Sequence, residues 1–114
     1  MRTVYYQGFV NTGFNDTNYP HLELLECLSQ GIIYKNMYEL FREDEYKHGI
    51  NKVASLAVLA NDNFYKGYQI ATQYFMKSSH ISNNIKADIL SFAYVESLYF
   101  DVIANSKSAK YYEN

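Results

Sequence analysis

NKVASLAVLANDNFYKGYQIATQYFMK, residues 51–77, decides how the rest of the chain is arranged. Val53, Leu56, Ala57, Ala60, Phe64, Tyr68, Ala71 and Phe75 return mostly at steps of three and four residues. That period places them on one face of an α-helix. Gly67 falls on the same side, and the small residues Ala57, Ala60 and Gly67 allow a second helix to approach closely. Asn51 is the expected N-cap, because its side chain can accept a hydrogen bond from an otherwise unpaired first-turn N–H. The helix is expected over 51–78, with NDN at 61–63 as a point where it could divide.

Upstream, Pro20 suits the first turn of a helix, where its missing N–H costs nothing. Leu22, Leu25 and Leu28 follow at helical spacing, with Leu24 and Cys27 widening the face. Gly31 interrupts, and Ile32, Ile33, Met37, Leu40 and Phe41 resume. The span 20–48 reads as one kinked helix or two, closed by Gly49 as a C-cap. GIIYK, 31–35, reads alternatively as a short strand.

Downstream, Ser82 or Asn83 caps a last helix over 83–105. One apolar stripe holds Ile85, Ile89, Phe92, Tyr99 and Ile103, with Glu96 set into it. Leu90, Ala93, Phe100 and Ala104 make a second set, and Val95, Leu98 and Val102 a third. A helix apolar nearly all round is usually central in a fold or shared with a partner. Residues 106–114, SKSAKYYEN, read as a polar tail ending in Tyr111 and Tyr112. ATQYF at 71–75 and SAKYY at 108–112 both set a small residue before an aromatic pair. Their separation is close to the period of about 34 residues in tetratricopeptide repeats. The pattern resembles the helical hairpin of that family and implies an antiparallel helix pair.

At the other end, RTVYYQGFVNTG, 2–13, is rich in aromatic and β-branched residues and reads as strand-like. The following residues, through Pro20, carry turn chemistry, with Phe14 as a candidate anchor on the core. A lone strand leaves its backbone donors and acceptors unpaired. Four arrangements answer this: pairing with residues 31–35, pairing with a second copy, addition to the sheet edge of another protein, or helix in place of strand. Tyr5, Tyr6, Phe9 and Phe14 are therefore the candidate partner-binding residues.

The fold class expected is mainly α: a compact bundle of three to four helices with a short N-terminal strand-like segment. With 114 residues, 1–114 reads as a single helical domain, 1–19 being an extended segment and loop. Hydrophobic residues make up 48% of the chain, enough for a packed core. There are 13 tyrosines and 7 phenylalanines but no tryptophan. That many phenols cannot all be interior, since each buried hydroxyl needs a partner. Some are expected at the edge of the core or in an interface.

A net charge of -2 gives no electrostatic ground for nucleic-acid binding. The single cysteine, Cys27, forms no disulfide within the chain and reads as a small buried hydrophobe. The start MRTVYYQG lacks an apolar signal core, and no stretch is long and apolar enough to span a bilayer. A cytoplasmic address is the simplest expectation, without membrane partners.

Chemistry has few footholds. His21, His48 and His80 are far apart in sequence, so no metal site is expected, and no cofactor motif is present. Glu96 on an apolar stripe reads as an ion pair with Arg42 or a lysine, or as an acid in a pocket. FREDEYKHG, 41–49, places Arg42 and His48 in a pattern that resembles the Arg/His signature of HEPN-type ribonucleases. The resemblance implies a dimeric RNA-cleaving enzyme, with Arg42 stabilising phosphate charge and His48 moving protons. Glu43 stands after the arginine where that family carries Asn, Asp or His, and the acidic run Glu43–Glu45 opposes an RNA backbone.

The leading expectation is a non-enzymatic, protein-binding protein of the kind mobile elements such as phages direct against host proteins, including defence nucleases. The alternatives are the ribonuclease, with Arg42, His48 and Glu96 as its site, and a homo-oligomeric helical subunit.

Overall fold

The computed structural model describes residues 19–113, with side chains from 19 to 106. The strand-like reading of residues 2–13 and the candidates Tyr5, Tyr6, Phe9 and Phe14 lie outside the described residues. The described chain is a bundle of three long helices with no strand among its residues.

Helix α1 runs Pro20–Phe41, with Pro20 in its first turn. The Tyr19 carbonyl accepts from the Leu22 and Glu23 N–H groups, which takes up two of the donors a helix start leaves over. The helix passes through Gly31 without a break, which corrects both the expected interruption and the strand at 31–35. Glycine weakens a helix by about 1 kcal/mol relative to alanine. Here that cost is offset by packing: Gly31 is buried against the ring of Phe64 on the next long helix.

The expected span 20–48 is instead broken after Phe41. Arg42–Asp44 form a 3-10 turn, and Glu45–His48 make a one-turn helix, α2. The Asp44 side chain accepts from the Lys47 N–H at 3.2 Å. Gly49 then takes φ 94°, a left-handed value that glycine reaches without a Cβ clash, and links α2 to the next long helix.

Helix α3 runs Ile50–Met76, capped by Gly49. Asn51, the expected cap, lies inside the first turn and faces solvent. The turn at Gly49 sets the entry point one residue earlier. NDN does not divide the helix: Asp62 points to water, and the Asn63 amide donates back to the Leu59 carbonyl at 2.9 Å. The Ser78 hydroxyl donates to the Tyr74 carbonyl at 2.7 Å and helps close the far end.

Helix α4 runs Asn83–Glu113. The Ser82 hydroxyl accepts from the Ile85 N–H at 3.3 Å, the N-cap geometry expected there. The helix continues well past 105, so the expected polar tail is a correction. SKSAKYYE holds no glycine or proline to stop it, and its lysines, alanine and glutamate favour helix.

Helix α3 is the centre of the bundle. It packs along both α1 and α4, which meet each other chiefly through side chains. Its buried residues are Val53, Leu56, Ala57, Ala60, Phe64, Gly67, Ala71 and Phe75. The larger core cluster joins Tyr38 of α1, Val53 through Phe64 of α3, and Phe100 and Ala104 of α4. Phe64 meets Phe92 edge-on at 5.5 Å between centroids and stacks with Phe100 at 6.2 Å. A second cluster holds Leu24, Ala71 and Phe75 near the α3–α4 turn. The central position therefore belongs to the helix with one clear stripe. The helix that is apolar nearly all round lies outside.

Candidate protein-docking face

Arg42, His48 and Glu96 each have a different partner. Arg42 is exposed on the 3-10 turn, with Nε 3.7 Å from Glu39 Oε1. The Glu39 carboxylate, then a hydrogen bond with Tyr38, raise its pKa above the ordinary arginine value. His48 stacks on Phe41 at 4.5 Å between ring centroids. The Lys52 ammonium lies 5.0 Å from the centroid of the same Phe41 ring. Glu96 is bound to Lys35, Oε2 to Nζ at 2.7 Å, with its side chain 17% exposed. Lys35 and Arg42 stand about two helical turns apart, roughly 10 Å along α1. Each of the three is thus engaged by a different side chain: Arg42 by Glu39, His48 by Phe41 and Glu96 by Lys35.

The histidines are also separate. His21 lies beside Tyr74, His48 lies on Phe41, and His80 is exposed in the α3–α4 turn. Among the described residues, no group of three or more His, Cys, Asp or Glu side chains could hold a metal ion. Cys27 is buried at 1% exposure, in the interior role expected of it. Among the described residues no helix is long and apolar enough to cross a membrane.

What remains is a surface. On α4, Ala93, Ser97, Phe100 and Ala104 are buried against the bundle. The opposite side of the helix carries Val95 at 59% exposure, Leu98 at 46% and Val102 at 66%. Tyr94 and Tyr99 flank them, both exposed, and Tyr94 rests against Tyr68 of α3 at 5.2 Å. Val95, Leu98 and Val102 are spaced three and four residues apart, the a–d–a spacing of a seam between two helices. From Ile89 to Ser106 the only charged residues are Glu96, which Lys35 holds, and Asp101. Helix α1 also exposes Leu25, Ile32, Ile33 and Leu40, but Ser29 and Asn36 divide them. The α4 stripe has no such break between 95 and 102.

The signal for this face was present in the sequence as the third apolar set on the last helix. It could be read there as a surplus of apolar residues. Which set faces outward depends on how the helix is docked. No protein-family model, curated protein or solved structure matches the chain.

Proposed function

We propose that this is a small helical protein whose work is binding another protein, and that the outward side of α4 is where it binds. One observation carries this reading: the apolar, nearly chargeless stripe Val95–Leu98–Val102 with Tyr94 and Tyr99 beside it. Exposed apolar patches of this kind, rimmed by polar residues, mark interaction surfaces. Tyrosine adds wide contact area at little entropic cost while keeping a polar tip. A role as a mobile-element inhibitor of a host protein is the biological setting that fits a compact, tyrosine-rich binding protein.

The test is affinity capture of the full chain from its native host, comparing wild type with Leu98→Glu. A specific protein captured by the wild type and lost with Leu98→Glu supports the reading. Capture unchanged by Leu98→Glu, or RNA cleavage abolished by His48→Ala, overturns it.

A further inference from the structure

We infer that the outer face of α4 pairs with the same face of a second copy of this chain, in an antiparallel, two-fold arrangement. This rests on the docking reading of that face and commits it to a second copy; a foreign protein on the same face is the competing occupant, which the experiment below separates.

The argument begins with charge. A face without charge at its centre leaves nothing unpaired when it meets an identical face, whereas a charged surface meeting its own copy is repelled. In an isologous pairing every contact also occurs twice. The direction follows from the charged residues at the two ends of the stripe. Continuing the heptad, Asp88 and Ser91 precede Val95, and Asn105 follows Val102. A parallel pairing would set Asp88 against Asp88 in the seam. An antiparallel pairing that sets Val95 across from Leu98 of the other copy sets Ser91 across from Val102 and Asp88 across from Asn105. The same register brings Asp101 opposite Tyr94 of the other copy, on the flank of the seam. A phenol can donate to a carboxylate, so the one charge left in this stretch gains a partner at the dimer edge.

From Asp88 to Asn105 the seam runs about 26 Å along the helix. Tyr68 of α3 meets Tyr94 at the flank of the seam. Tyr94 and Tyr99, both exposed beside the seam, widen the contact beyond its three central residues.

The experiment uses the purified full chain. Sedimentation across a concentration series is expected to give the dimer mass, and Leu98→Glu or Val102→Glu to weaken self-association about 100-fold or more. Far-ultraviolet circular dichroism should be unchanged, because both side chains are exposed in the monomer. Under mild oxidation, a mixture of Ser91→Cys and Val102→Cys chains is expected to cross-link 91 to 102. A monomer at all concentrations overturns the inference, as does a dimer untouched by either glutamate. Dominant 91–91 and 102–102 cross-links overturn the antiparallel arrangement. If the chain is monomeric yet still captures a foreign protein that Leu98→Glu releases, the docking face stands and the second copy falls. If capture is also insensitive, both fall.

Discussion

The ring of Phe64 lies so close to the α1 backbone at Gly31 that a Cβ there would sit 2.8 Å from Phe64 Cε1. This contact ties α1 to the central helix, and it explains why a glycine persists in the middle of a 22-residue helix. Gly31→Ala gains about 1 kcal/mol of helix propensity and forces a fully buried ring to move. The expected net effect is a loss of about 1–2 kcal/mol, seen as a lower midpoint in urea unfolding. An unchanged or raised midpoint would show that the ring yields easily.

Gly67→Ala is the contrasting case. Its added Cβ would meet Leu28 Cδ2 at 3.1 Å, the far end of a flexible side chain. Leu28 can turn aside, so the propensity gain and the packing loss should nearly cancel. Stability within about 0.5 kcal/mol of wild type is expected, and the two glycine variants measured together separate backbone propensity from packing.

Phe64 holds all three long helices, through Gly31, Phe92 and Phe100. Phe64→Ala should cost about 3–5 kcal/mol. In a domain of this size that is a fall of well over 10 °C in Tm, or loss of the folded state by near-ultraviolet circular dichroism. A Tm within a few degrees of wild type would place the core elsewhere.

The Lys35–Glu96 bridge joins α1 to α4 at the edge of the core. Both side chains keep some contact with water, so the pair is discounted from a buried one. A double-mutant cycle with Lys35→Met and Glu96→Gln is expected to give a coupling of about 1 kcal/mol, reduced in high salt. Zero coupling would show that the 2.7 Å contact adds nothing to stability.

Arg42→Ala and His48→Ala test the enzyme alternative. Arg42 is exposed beside Glu39, and His48 stacks on Phe41. Neither change should alter binding of a captured protein, and neither should affect cleavage of added RNA, which is expected to be absent in the wild type. Losing the His48 stack should lower stability by about 0.5–1.5 kcal/mol at most. RNA cleavage present in the wild type and lost in both variants would reinstate the ribonuclease reading.

Much of this architecture was legible in the residue pattern, because an α-helix carries its signal locally. Every residue in the 53–75 stripe is buried except Tyr68, which is half-buried, since a period of three and four is the geometry of one helix face. The Ser82 cap and the turn at Gly49 were legible for the same reason: each depends on a side chain, or the lack of one, within a single turn. The local rules failed at Gly31 and after residue 105. At Gly31 a distant ring outweighs the residue's own preference, and after 105 the polar residues include nothing that stops a helix.

The residue order by itself determined that the described residues are helical, that the chain turns at Gly49 and before Asn83, and that its last helix has more apolar surface than one core contact needs. Only the tertiary structure decided that α3, with its single stripe of small residues, takes the middle, and that Val95, Leu98 and Val102 are left facing water. It also sent Arg42, His48 and Glu96 to separate partners. Periodicity fixes which residues share a helix face, but the direction each face points is set by packing among helices far apart in sequence, and no local pattern encodes that.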